Sequence, residues 1–501
     1  MRFATLSVLA LTLALMACGS TVKNPVSGRE ERSVMDEQAE LAEGRKAHES
    51  VLKEYGVYGD ARLQAYVNGV GQRLAQQSHR PTLAWTFTVL DSPDVNAFAL
   101  PGGFVYITRG ILAYLDSEAD LAGVLGHEIG HVTARHGAQR ATRQQNAGLG
   151  VLAATVLGAV LESRGVGGAG QAVGQLSQGV AAGYIASYSR EQELQADQLG
   201  AEYLHRTQYD PRNMIDVIRV LKNQELFAQE VARAEGRAVQ GGGGGNWLSS
   251  HPTSDRRLQE ISDIATKLQA QAAGRLGDDG RARYLQAING MAFGESRGQG
   301  LTRGRHFFHD ELGFAITAPP GWKIQNRPEV LVLVNATGDA GLIARLLPAE
   351  FGTDHDRILR ERLKAEPGRV ERLSLGGGLA ATHFVGQRRT EQGALAPIEA
   401  TLVTGPGQRT YFLHYAASDA AALQRARDGL HEAALSFRAM SAADRAAAKP
   451  WVLRSVPMPR GGFAQLLRSS PLTEHAEQQL RLLNASGGSE PAPGTLVKTV
   501  E

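Results

Sequence analysis

Two histidines four positions apart flank a glutamate in the run His127-Glu128-Ile129-Gly130-His131. On a helix, residues four apart share a face, so the two imidazoles can chelate one zinc ion. Neutral imidazole nitrogens suit Zn²⁺, and a carboxylate one residue along can reach water at the metal without joining its ligands. Glu128 is therefore the candidate general base of a site for peptide hydrolysis. A helix must carry these residues. Ser117-Glu118-Ala119-Asp120 reads as a capping box ahead of the apolar series Leu121, Val124, Leu125 and Val132, and Gly137 is the expected terminator. His136, placed on the same helix, is expected to point away from the chelating face as an exposed residue near its end.

A catalytic zinc takes three protein ligands and keeps a position open, so a third ligand should follow downstream. The stretch Ser189 to Asp197 offers one. Glu193 and Asp197 share a helical face, while Glu191 is turned away. Glu193 is the expected third ligand for one zinc per chain. Asp197 is expected to accept the free ring N–H of a ligating histidine and so fix its tautomer. Without the upstream histidine pair, this acidic stretch would be an ordinary solvated helix face.

At this point the chain resembles the HtpX and CaaX-prenyl-protease type of zinc metallopeptidase, a gluzincin, and particularly its periplasmic BepA-like and LoiP-like lipoprotein branch. The likeness rests on ordered blocks: Asn24 to Gly28, Asn96 to Gly103, His127 to His131, Ser189 to Asp197, and His251-Pro252 followed by Arg257. It implies that His127, His131 and Glu193 hold zinc and that Glu128 is the base, in a zincin-type domain that is mainly α with a small edge sheet. Gln195 departs from the family, whose members usually carry an acid there, at a position that is not a ligand. His251 follows the run Gly241 to Gly245, a flexible-loop composition. The resemblance implies that His251 can occupy the fourth metal position and shut the enzyme; a cleft-lining histidine that never binds metal is the alternative. Arg257 resembles a cleft arginine that could stabilise an oxyanion or orient a neighbouring carboxylate.

Phe104, Val105, Tyr106 and Ile107 follow a Pro-Gly-Gly turn and have strand composition. They are expected to form an edge strand beside the cleft, to which an extended substrate could add; an ordinary structural strand is the alternative. No nucleophile motif suggests a covalent acyl-enzyme.

Met1 to Ala17 has a basic Arg2, an apolar stretch from Val8 to Leu15 and a small residue before Cys18, the organisation of a cleaved export signal. Leu15-Met16-Ala17-Cys18 resembles a bacterial lipobox. Cys18, the only cysteine, is then the expected lipidated first residue, with residues 18–40 as a tether; a soluble secreted protein is the alternative. By resemblance, Gly19 favours sorting to the outer membrane. Leu149 to Leu161 is uncharged but too short to span a bilayer, which suggests a core helix or membrane-touching hairpin. Together with Gly165 to Gly183 it is expected to shape or lid the site.

At 501 residues the chain is too long for one ordinary core. The expected parts are a peptidase domain at 41–297, a small α+β accessory domain at 305–440, and a module at 449–501. Strand patterns at Gly313 to Thr317, Val330 to Val334, Gly341 to Leu346 and Thr410 to Tyr415, with helical Asp354 to Lys364 and Ala420 to Ala434, define the accessory domain. The last part resembles a degraded LysM module of the kind that binds cell-wall glycan; an ordinary helical tail fits equally.

With 53 basic and 51 acidic residues the net charge is +2, which gives no electrostatic footprint for nucleic acid. The expected protein is a zinc endopeptidase, lipid-anchored to the outer membrane and facing the periplasm. Its expected partners are unfolded or misassembled envelope proteins, outer-membrane β-barrel proteins and their assembly machinery, and peptidoglycan. The alternative is a latent protease acting mainly as a chaperone or assembly scaffold.

Overall fold

The computed structural model describes residues 20–145, 188–234, 247, 251, 255–271, 276–327, 330–390, 393–473, 475–485 and 489–501. The export-signal segment with Cys18, the stretches Leu149 to Leu161 and Gly165 to Gly183, and the run Gly241 to Gly245 lie outside these residues. The chain divides into two compact units, residues 1–291 with 452–501, and residues 292–451. No helix among the described residues is long and apolar enough to cross a membrane.

In chain order the first unit comprises a hairpin of β1 (Ser20–Lys23) and β2 (Glu30–Ser33), helices α1 (Glu37–Tyr55) and α2 (Ala61–Gln76), and strands β3 (Thr86–Leu90), β4 (Ala97–Leu100) and β5 (Phe104–Thr108). Helices α3 (Arg109–Tyr114), α4 (Glu118–Thr133), α5 (Arg190–Arg206), α6 (Asn213–Ala234), α7 (Asp255–Gln271) and α8 (Arg281–Ile288) follow. Helices dominate, and the three-stranded sheet of β3, β4 and β5 packed among them is small. α4 is the axis of the unit. Every one of its residues is buried, so it needs apolar or paired neighbours on all sides.

Ser117 caps α4 by accepting from the Asp120 N–H at 3.0 Å. Asp120 reaches back one residue further than a capping box requires, to the Asp116 N–H at 3.1 Å. α4 ends at Thr133, before Gly137. Arg135 takes a left-handed backbone, φ 59°, and helical residues resume at 136. That conformation costs a non-glycine residue about 1–3 kcal/mol. Arg135 Nε donates to Glu40 Oε1 at 3.0 Å and its Nη2 to the Met35 carbonyl at 2.8 Å. Bonds from a charged donor contribute about 1.5–3 kcal/mol each, enough to hold the turn. The Asn24 to Gly28 block locks the same place: Asn24 Nδ2 donates to the Ala134 carbonyl at 3.2 Å, while its Oδ1 accepts from Val26 and Ser27.

The sheet corrects the expected edge strand. β5, with Phe104, Val105 and Tyr106, is the central strand, parallel to β3 and antiparallel to β4. Both of its backbone edges are used, so no substrate can add there. Val105 to Thr108 are all buried, the signature of a strand covered on both faces. β3 and β4 are the edges, and β4 packs on α4.

Residues 452–501 belong to this same compact unit and do not stand apart as a module. The strand Trp451–Pro457 pairs antiparallel with Leu496–Val500, and Leu453 bonds the backbone of Gly290 and Met291. Lys498 is fully buried. Its Nζ donates to the carbonyls of Ala113 and Leu115, at 3.1 and 2.6 Å, capping the end of α3.

The second unit carries a seven-stranded antiparallel sheet. Its order is Lys323–Arg327, Val330–Val334, Ala340–Leu346, Thr410–Ala417, Leu395–Thr404, Leu379–Arg389 and Arg369–Leu375. The helix Ala420–Leu435 packs on one face, burying Ala426, Leu430 and Ala433 against Leu333, Leu342 and Leu413. Of the expected helix Asp354 to Lys364, only a short turn at His355–Arg357 and a wider turn at Ile358–Arg362 form.

Burial pushes the Lys498 ammonium down to about 8, an effect that Asp116 only partly offsets. A base whose folded pKa lies below its unfolded value favours folding more as pH rises between the two, because only the unfolded chain still binds the proton. The stability difference between the native protein and Lys498→Met should therefore shift in favour of the native protein from about pH 8 to pH 10. Paired melting curves over that range will show it, and parallel curves would refute the buried charge.

Candidate metal centre

The site is built where α4 and α5 cross. A Cβ on Gly130 would lie 2.9 Å from the Ala196 carbonyl oxygen, and one on Gly200 would lie 3.1 Å from the His127 nitrogen. Only glycines permit this approach. Ser189 caps α5 in a reciprocal capping box with Gln192, which fixes where the helix begins. Glu193 then lies in the first turn and Asp197 one turn on, both on the face buried against α4.

Four candidate donors converge. His127 Nε2 lies 3.0 Å from His131 Nε2 and 3.2 Å from His251 Nδ1. Glu193 carboxylate oxygens lie 3.6 Å from His127 Nε2, 3.5 Å from His131 Nε2 and 3.0 Å from His251 Nδ1. His127, His131, Glu193 and His251 are the group of residues, among those described, that could hold a metal ion. Zinc bonds of about 2.0–2.1 Å to nitrogen would set tetrahedral donors about 3.3 Å apart, which is the spacing here. All four side chains are at most 1% exposed.

The charges fit a dication as well as the distances do. Glu128, Glu193 and Asp197 are three buried carboxylates, and Arg257 is the guanidinium among them. Formally that leaves two negative charges in a site sealed from water, a costly arrangement unless a cation balances them. Among the described residues, Glu128 Oε2 is buried with no hydrogen-bond partner. The nitrogen and carboxylate donor set suits zinc.

Each α4 histidine is held from behind. Asp197 Oδ1 accepts from His127 Nδ1 at 2.8 Å, which leaves the His127 Nε2 lone pair toward the cluster. Arg257 in turn grips Asp197 through Nε at 2.6 Å and Nη2 at 2.9 Å, and its Nη1 reaches Glu193 at 3.0 Å. Burial alone would push both carboxyls up. For Asp197, Arg257 and His127 outweigh it, and for Glu193, His251, His127 and Arg257 do, so both sit below the usual carboxylate range. Arg257 thus orients both carboxylates, and its Nη1 also donates to the His251 carbonyl at 3.2 Å.

His136 corrects the expectation drawn for it. It is fully buried and its Nδ1 lies 2.8 Å from His131 Nδ1. On one continuous helix it would have faced away; the left-handed turn at Arg135 swings it back. Burial pushes its imidazole down to about 4. Two aromatic residues that were not among the expected site residues also join the site. Tyr188 stacks on His131, with ring centroids 3.9 Å apart. Trp247 stacks on His251 at 4.6 Å and donates from Nε1 to Glu128 Oε1 at 3.2 Å. The Trp247 to His251 spacing of one helical turn is the available signal, and the His251 N–H indeed bonds the Trp247 carbonyl.

A histidine pair at helical spacing around a glutamate, completed by a glutamate on the next packed helix, defines a zincin-type metallopeptidase site. Residues 61–265 match the family described as Peptidase family M48. The chain is similar to the β-barrel assembly-enhancing proteases of Yersinia pestis (28% identical over 214 residues, 42% of this chain and 40% of that protein) and of Escherichia coli O157:H7 (30% over 213 residues, 42% and 40%). It is also similar to the mitochondrial metalloendopeptidase OMA1 of Schizosaccharomyces pombe (28% over 256 residues, 49% and 67%). The chain spans 40% of the length of those two bacterial relatives.

Replacing Arg257 by Met should cost about 3–5 kcal/mol, because it leaves buried carboxylates unpaired. Zinc affinity should fall with it. Arg257→Lys should recover only part of the loss, since one ammonium cannot span Asp197 and Glu193 as the guanidinium fork does. Thermal melting and zinc competition with a chelator will measure both effects.

Proposed function

We propose that this chain is a zinc-dependent endopeptidase of the bacterial cell envelope, held shut in the present conformation by His251. The convergence of His127, His131, Glu193 and His251 beside Glu128 carries this reading. Zinc bound there supplies Lewis acidity, polarising a peptide carbonyl and acidifying water. His127, His131 and Glu193 are the residues that would hold it, with Asp197 and Arg257 fixing their geometry.

Glu128 has the remaining chemistry. Its carboxylate would take a proton from the attacking water and return it to the leaving amine. In the described arrangement Oε1 is engaged by Trp247 Nε1 and lies 3.5 Å from His251 Nε2. His251, at the fourth donor position, and Trp247 therefore also cover the base. Trp247 donates its backbone N–H to the Val95 carbonyl at 2.8 Å, beside the start of edge strand β4. β4, rather than β5, is the strand an extended substrate could lengthen. Substrate entry requires His251 and Trp247 to withdraw, so the enzyme is latent until a partner or substrate displaces them.

The printed names of the bacterial relatives favour unfolded or misassembled outer-membrane β-barrel proteins as substrates. A lipid anchor at Cys18, at the periplasmic face of the outer membrane, is part of the same proposal. The burial of His251 also favours a second reading, a latent protease that serves chiefly as an assembly scaffold.

Hydrolysis of an unfolded protein separates the two. Glu128→Gln should lower turnover by about 10²–10⁴-fold with zinc content unchanged. His251→Ala should raise it. Zinc-loaded protein that is inactive in both native and His251→Ala forms would establish the scaffold instead.

A further inference from the structure

Among the described residues, only one of the two α4 histidines is backed by a carboxylate. Behind His131 stands a neutral chain: His131 Nδ1 faces His136 Nδ1 at 2.8 Å, and His136 Nε2 faces Gln195 Oε1 at 2.9 Å. With the Gln195 oxygen facing His136, hydrogen-bond bookkeeping along this chain has one solution. An amide oxygen can only accept, so His136 Nε2 carries the proton. Nδ1 of the neutral His136 ring is then a lone pair, and His131 Nδ1–H must donate to it. That leaves the His131 Nε2 lone pair pointing at the cluster, 3.0 Å from His127 Nε2. The opposite amide orientation would present an N–H to His136 and pass the proton round to His131 Nε2, where no metal could bind.

We propose that Gln195 and His136 are positioning residues that fix the tautomer and ring orientation of His131 for metal binding. They do for His131 what Asp197 and Arg257 do for His127, without adding a charge. The relay joins the two helices of the site, because Gln195 lies on α5 between Glu193 and Asp197, and His136 lies just past the turn that ends α4. Stacking by Tyr188 holds the His131 ring plane, but a stack cannot choose between tautomers. A neutral backing also has a chemical consequence. A carboxylate raises the basicity of the histidine it accepts from, whereas an imidazole lone pair does so less. The two histidine ligands are therefore unequal donors, with His127 the stronger.

The proposal rests on the reading of His131 as a ligand, so the test includes His131→Ala. Zinc affinity is measured by chelator competition on purified full chain. The tautomer of His131 is read from long-range proton–nitrogen correlations in metal-free, ¹⁵N-histidine-labelled protein. His136→Phe keeps a ring but removes the acceptor; Gln195→Leu removes the oxygen; Gln195→Glu keeps it. The first two should weaken zinc binding by about ten- to a hundredfold and move His131 from the Nδ1–H form toward a mixture. Gln195→Glu should hold both at native values, which a merely structural role for the side-chain shape at 195 would not predict over Leu. Unchanged affinity and tautomer in His136→Phe, or Gln195→Glu as weak as Gln195→Leu, would overturn the relay. Zinc binding undiminished in His131→Ala would instead overturn the ligand assignment. Melting curves on each variant confirm that the comparison is between folded proteins.

Discussion

α4 and α5 meet along a seam with almost no side chains in it, and the metal centre exists because of that closeness. Gly126 and Gly130 of α4 face Gly200 and Ala196 of α5, so the backbones approach until a single added methyl would strike a carbonyl. Glutamate has a short reach. Only at this separation can Glu193 place its oxygens within 3.6 Å of both His127 and His131 while Asp197 touches His127 from behind. The glycine inside the His127 to His131 run is thus as much a part of the site as the histidines. It contributes distance, where they contribute donors.

Closeness brings a charge problem, and the surrounding structure is arranged around it. Carboxylates and imidazole lone pairs aimed at one point repel one another in a medium that cannot solvate them. Arg257 offsets part of the negative charge by gripping Asp197 and Glu193 together, and a dication completes the balance. The same sealing from solvent explains the present conformation. His251 and Trp247 fill the volume that water or substrate would otherwise take, one at the donor position and the other against Glu128. In the proposed latent form the site is therefore assembled yet covered, and access is a question of displacing His251 and Trp247.

Several elements were legible in the sequence for good physical reasons. The Ser117 cap, the spacing of His127 with His131 and of Glu193 with Asp197, and the strand Val330–Val334 all follow from short-range rules of period and capping. The failures are equally informative. Phe104 to Thr108 reads as a strand, but whether it lies at an edge depends on β3 and β4, which pair with it from both sides. Arg369–Leu375 escaped notice because an exposed edge strand lacks apolar alternation. His136 was misplaced because α4 was taken as continuous to Gly137. Its true direction is set by Arg135, whose left-handed turn is stabilised by Glu40, 95 residues earlier.

By itself, then, the sequence determined the chemistry: two imidazoles and a base on one helix, a carboxylate pair on another, and a third histidine with an arginine downstream. Local periodicity suffices for the first two sets, each within a turn or two of one helix, whereas His251 and Arg257 were marked only by the family resemblance. Tertiary structure alone decided how far apart those sets stand, which backbone edge is free, that the base is covered by Trp247, and that His136 and Gln195 stand behind His131. These depend on contacts between residues far apart in the chain, and no local spacing encodes them.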